Sequence, residues 1–163
     1  MTDASAPRKR AQRHFDSPAQ EAFLNLWRTY DRLRALEDAL FAQFELTPQQ
    51  YNVLRLLRGE HPGALPTLAI ASRLVTHAPD ITRMLDKLEA RKFVVRERRA
   101  ENRRVVLVQI TEAGLALLKQ IEKPLRECHQ HQLGHLSEAQ LKEFVKLLQL
   151  ARAPHEQEHS SWK

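Results

Sequence analysis

Between Pro66 and Ile110 the apolar residues change period, and this change constrains the fold more than any bulk property of the chain. The run 66-PTLAIASRL-74 places Ile70, Ala71 and Leu74 on one side of a short helix. Val75 and Thr76 follow. In 77-HAPDITRMLDKLEAR-91, Ile81, Met84, Leu85 and Leu88 stand at i, i+3, i+4 and i+7, one buried stripe of a longer helix. Thr76 is the expected cap of that helix, and Pro79 is tolerated because first-turn N–H groups have no intrahelical acceptor. Beyond it, Phe93–Arg99 and Arg104–Ile110 are rich in β-formers, with Ala100, Glu101, Asn102 and Arg103 as a polar turn. Short helix, turn, longer helix and hairpin together make a helix-turn-helix with a wing. Seven Lys or Arg residues lie among the fourteen from Arg91 to Arg104, and a hairpin tip leaves such charge in solvent at little cost.

The flanks are helical. Phe23, Leu26, Trp27, Tyr30, Leu33, Leu36, Leu40 and Phe44 recur at three- and four-residue steps, giving a long helix wide enough in apolar surface to pack on more than one neighbour. At 47-TPQQ-50 a capping box opens the next helix, with Pro48 at its first position and Tyr51, Leu54 and Leu57 inward, stopping near Gly59. Thr111 caps a helix carrying Leu115, Leu118, Ile121 and Leu125, which breaks around Gly134. A second capping box, 137-SEAQ-140, opens the last helix with Leu141, Phe144, Val145 and Leu148. The expected class is therefore mainly α with a small two-stranded β wing. Residues 1–17 read as a flexible basic arm, 18–152 as one folded unit and 153–163 as a C-terminal tail.

Composition narrows the partners. Net charge is +6 with pI near 9.8, which favours a polyanion, either nucleic acid or an anionic membrane surface. No run of eighteen apolar residues occurs and the N-terminus has no apolar stretch, so neither a membrane span nor a secretory signal is expected. One cysteine, Cys128, precludes an internal disulfide and suits a reducing compartment, which makes the expected location cytoplasmic. With four glycines there is no phosphate-binding loop, and neither a Gly-x-Ser-x-Gly nor a His-Glu-x-x-His motif occurs, so no enzyme and no cofactor is expected.

From Leu46 to Gly114 the chain resembles the winged helix-turn-helix of the MarR family of bacterial transcription regulators, and the long flanking helices resemble that family's dimerisation region. The resemblance spans about residues 21–152 and is most specific in 81-ITRMLDKLEARKFVVRERRAENRRVVLVQITEAG-114. It implies a DNA-binding part at about 47–112 and dimerisation helices at about 20–45 and 112–152. It also implies a homodimer whose recognition helices enter successive major grooves of a pseudo-palindromic operator, about 34–36 Å apart, and a repressor released by a small-molecule effector. The residues that carry over are His77, Ala78, Pro79, Thr82 and Arg83 at the groove-facing start of the helix, with Arg103 and Arg104 on the wing. Arg83 and Lys87 are the expected phosphate contacts, and Thr67 offers its hydroxyl and neighbouring N–H groups. Trp27 and Tyr30 would line the effector pocket. Two departures stand out. Asn102 replaces the acid that usually precedes the wing arginine, which weakens the hold on Arg104. Lys92 occupies a position where the family commonly has Gly, one that suits a left-handed backbone.

Other readings of the same residues remain. Arg103 and Arg104 also fit a plain solvated turn, Trp27 and Tyr30 also fit a core, and Arg8, Lys9, Arg10 and Arg13 fit either a DNA-gripping arm or a solubilising tail. In 128-CHQHQLGH-135, an unbroken helix would stack Cys128, His131 and His135 on one side as a thiolate and two imidazoles for zinc, or Cys128 would serve as a redox sensor. Gly134 interrupts that spacing and no fourth ligand is near. A winged-helix protein that coats DNA nonspecifically, or that uses the same surface for protein contacts, is the alternative from a different class. The ratio of specific to nonspecific affinity separates it from a regulator.

Overall fold

Side-chain caps set the helix starts. Ser17 accepts from the Gln20 N–H and α1 runs Pro18–Ala42. Thr47 accepts from the Gln50 N–H while the Gln50 side chain accepts from the Thr47 N–H, the full capping box, and α2 runs Pro48–Glu60. Ser137 and Gln140 repeat the arrangement at the start of α6, Glu138–Arg152. Between these, β1 is Leu65–Pro66, α3 Thr67–Arg73, α4 Ile81–Ala90, β2 Val94–Arg98, β3 Val106–Ile110 and α5 Glu112–Leu133; the 3-10 turn Ala153–His155 follows α6. The computed structural model describes residues 15–74, 80–98 and 105–156.

The chain divides into two units, Met1–Arg34 and Ala35–Lys163. In the first, the α1 residues Phe23, Leu26, Trp27 and Tyr30 are exposed, with the Phe23 and Trp27 rings 6.1 Å apart. In the second, one core collects Phe41 from the end of α1, Val53, Leu54 and Leu57 from α2, Ile70 from α3, Leu85 and Leu88 from α4, Val94 and Val108 from the strands, and Leu118 and Ile121 from α5. Each element thus gives one stripe to a shared interior. α6 has no buried residue: Leu141, Phe144 and Leu148 are half-covered and Val145, Leu147 and Leu150 exposed.

Three details differ from the sequence expectation. The sheet has three strands, in the order β1-β3-β2, because Leu65 and Pro66 pair antiparallel with Val108 and Leu107. A two-residue strand is too short to show alternation, so the sequence carries no signal for it. The longer helix begins at Ile81, and its cap is Asp80, whose Oδ1 accepts from the Arg83 N–H at 2.9 Å. A carboxylate at the positive end of a helix is favoured over a threonine four residues upstream. Thirdly, Leu117 joins Leu118 in the core.

Lys92 adopts φ 61°, the left-handed conformation expected where Gly is common. It ends α4 in a Schellman motif: the Phe93 N–H reaches the Leu88 carbonyl at 3.0 Å and the Lys92 N–H that of Glu89 at 2.8 Å. Glu45, at φ 52°, ends α1 in the same way, with Leu46 N–H donating to Phe41 at 3.0 Å and Glu45 N–H to Ala42 at 3.0 Å.

Candidate nucleic-acid interface

α3 and α4 form the helix-turn-helix, and antiparallel β2 and β3 form the base of the wing, in register from Val94 opposite Ile110 to Arg98 opposite Val106. α4 buries Leu85 and Leu88, half-covers Ile81 and Met84, and exposes Thr82, Arg83, Asp86 and Lys87. The amphipathic pattern therefore turns the expected contact residues outward on one helix. Thr82 and Thr67 line a common hollow of about 340 Å3 with Leu68, Leu85, Arg96 and Val106. On its other flank α4 borders a hollow of about 330 Å3 lined by Arg83, Lys87, Asp80, Met84, Thr47 and Gln50. The Thr67 hydroxyl donates to the Val106 carbonyl at 3.3 Å, so it ties α3 to β3; what α3 offers an anion is the first-turn N–H groups rather than that proton. His77, Ala78, Pro79, Arg103 and Arg104 lie outside the described residues, as do Thr76, Asn102 and the basic arm.

Charge on the exposed face is partly settled internally. Asp80 is turned to the α4 N-terminus. Asp86 is paired by Arg96, which reaches across from β2 with Nη2 2.6 Å from Oδ1. The same guanidinium donates to Glu89 Oε2 from Nε at 2.9 Å and Nη2 at 2.5 Å, and the Arg96 N–H donates to Glu89 Oε1 at 3.1 Å. Hydrogen bonding from Arg96 holds the Glu89 carboxyl below its ordinary 4.5. Among the described residues, Arg83 and Lys87 are in no ion pair. Sequence reasoning missed Arg96 altogether, because a pair seven residues apart forms only once β2 folds back onto α4.

Behind α4, Arg91 joins the ends of two helices. Its guanidinium donates to the carbonyls of Glu45 at 2.6 Å and Phe44 at 3.2 Å, satisfying acceptors at the end of α1, and stacks 4.7 Å over the Phe93 ring. Thr111 does the same for the wing. Its hydroxyl donates to the Lys92 carbonyl at 2.7 Å and accepts from the Gly114 N–H at 3.1 Å, capping α5.

The residues of the metal reading do not share one helix, and those of the effector reading are exposed on α1. Trp27 lines a hollow of about 450 Å3 within the first unit, with Phe15, Leu24, Asn25, Arg28 and Asp31; Tyr30 is exposed and is not part of that lining. α5 ends at Leu133 with Gly134 as its C-cap, so His135 lies beyond the helix and cannot stack with Cys128 and His131. Among the described residues no three His, Cys, Asp or Glu side chains converge on a metal position. Burial, then the charge of Glu37, pushes the Cys128 thiol up, opposite to what a reactive thiolate needs. His129 Nε2 lies 3.3 Å from Glu37. No helix among the described residues is long and apolar enough to cross a membrane.

Comparison with known proteins points the same way as this geometry. Residues 46–106 match the MarR family. The chain is 32% identical over 99 residues to the HTH-type transcriptional regulator MhqR of Bacillus subtilis (strain 168), covering 61% of this chain and 67% of that protein. It is similar to the crystal structure of a MarR transcription factor from Planctomyces limnophilus, with 56% identity, TM-score 0.68, and 84% of this chain and 99% of that chain covered. A mutant MarR from E. coli complexed with operator DNA shares the fold, with TM-score 0.71 at 21% identity over 80% of this chain and 93% of that chain.

Proposed function

The chain belongs to the MarR family of transcription regulators, and from that premise we infer that it acts as a homodimeric repressor, reading a pseudo-palindromic operator with α4 and released by a small-molecule effector. The observation that carries this reading is the outward face of α4. Thr82, Arg83 and Lys87 are exposed on the second helix of the helix-turn-helix, beside a wing, with the acids of that face already paired. Arg83 and Lys87 supply phosphate contacts, and Thr82 reaches base edges in the major groove. By likeness to the family, His77, Ala78, Pro79, Arg103 and Arg104 are read as further DNA contacts, and the α3 N-terminus at Thr67 meets the backbone.

Dimerisation is supported by apolar surface left uncovered in the single chain. Phe23, Trp27 and Tyr30 on α1, and Val145, Leu147 and Leu150 on α6, are each more than half exposed. Faces of this kind in a monomer mark interaction sites. Release follows if an effector binds preferentially to a dimer whose recognition helices are wrongly spaced, since DNA affinity then falls by the differential affinity of the ligand.

The test is the salt dependence of binding to a duplex enriched from a random library. Each phosphate contact adds about 0.9 to the slope of log K against log salt. A variant with Arg83→Ala and Lys87→Ala is expected to lose about two such contacts per protomer. An unchanged slope would remove α4 from the DNA-facing surface.

A further inference from the structure

Asp80, which caps α4, and Asp86 within it are exposed as Arg83 and Lys87 are, Asp86 on the flank that meets Arg96 and Asp80 on the other, so two carboxylates stand among the outward cations. Left bare beside a phosphate backbone, they would cancel the two cations charge for charge. Asp80 faces the N–H groups of its own helix start. Asp86 is mid-helix, with 54% of its side chain exposed, and has no helix end to face. What meets it is Arg96. This arginine belongs to the basic hairpin yet is turned inward, 23% exposed, with its Nε and Nη2 donors directed at α4. Three hydrogen bonds to Glu89 already tie β2 to α4, so the contact to Asp86 is not required to anchor the strand.

We propose that Arg96 is a positioning residue for DNA binding: through Glu89 it fixes the wing strand against the recognition helix, and through Asp86 it removes an exposed anion from the DNA-facing surface. Arg83 and Lys87 are thereby left as the unopposed cations of that face. The inference rests on α4 being the DNA-reading helix, and the experiment is arranged to separate the two claims.

Affinity of the full-length chain is measured on a fluorescent duplex carrying the library-enriched sequence and on a scrambled duplex of equal length, for wild type, Arg96→Met, Asp86→Asn, Arg96→Met with Asp86→Asn, and Arg83→Ala. Arg96→Met is expected to weaken binding to both duplexes by about tenfold, the scale of an uncompensated like charge at a partly solvated contact. Adding Asp86→Asn is expected to recover most of that loss. Asp86→Asn alone closes the cycle: charge compensation predicts a small gain in the wild-type background, where Arg96 already meets the carboxylate, and a large one in Arg96→Met. Equal gains in both backgrounds would be a net-charge effect and would overturn the proposal. Both Arg96 variants are expected to melt together below wild type. Absence of a loss in Arg96→Met, or a loss that Asp86→Asn leaves untouched, would overturn the proposal. If Arg83→Ala binds as wild type does, the failure lies in the assignment of α4 itself. Should Arg96→Met not fold, Arg96→Gln and Arg96→Gln with Asp86→Asn replace that pair of variants and are held to the same outcomes.

Discussion

Lys92 carries the left-handed turn that ends α4, at φ 61°, where a side chain with a Cβ is strained by about 1 kcal/mol or more. Lys92→Gly relieves that strain but loosens the unfolded chain, so a net gain of about 0.5–1 kcal/mol is expected. A urea titration measures it, and a loss would mean that the lysine side chain makes a contact outweighing its backbone. Glu89 gives the second test at this scale. Its carboxyl is held low by hydrogen bonding from Arg96, so the stabilisation it adds is complete above the ordinary carboxyl value of 4.5 and disappears as pH falls through the lower folded value. Wild type is expected to lose stability more steeply than Glu89→Gln on acidification below about pH 4.5. Parallel pH profiles for the two proteins would show that the pair contributes nothing.

Elements depend on local chemistry that the sequence displays, and on close approaches that it does not. The capping boxes at Thr47 and Ser137 were legible because donor and acceptor lie three residues apart, and the stripe of Ile81, Met84, Leu85 and Leu88 was legible from its period. The start of α4 was less so: Thr76 and Asp80 are both cap-forming residues, and the period of the apolar stripe does not choose between them. Asp80→Ala is expected to cost about 1 kcal/mol, read from thermal or urea unfolding, while Thr76→Ala should cost less than half as much. Equal losses would put the two caps on the same footing. The links between elements were hidden for a different reason. Arg96 with Glu89, and Arg91 with the carbonyls of Phe44 and Glu45, join residues that only tertiary folding brings together. Gly114 belongs with these. A Cβ there would press on the Phe93 carbonyl and the Ile110 side chain, so Gly114→Ala is expected to destabilise by about 1–3 kcal/mol through overpacking where α5 leaves the sheet.

At the scale of the whole molecule, the winged helix-turn-helix and its flanking helices were readable from order and periodicity, whereas the partner that covers the apolar faces of α1 and α6 is only implied by their exposure. Light scattering is expected to give twice the 18.9 kDa of the chain, with Trp27→Glu shifting the mass toward a single copy. A monomer at micromolar concentration would leave those faces without an occupant. Net charge of +6 favours DNA in general, while sequence preference must come from the few side chains that reach base edges. The most direct measurement is therefore selection of bound sequences from a random duplex library by the purified full-length protein. An inverted repeat with half-sites centred about one helical turn apart is the expected result, and Thr82→Ala should relax the preference at one position in each half. Recovery of no motif, with binding that vanishes as salt rises, would contradict sequence-specific recognition by α4.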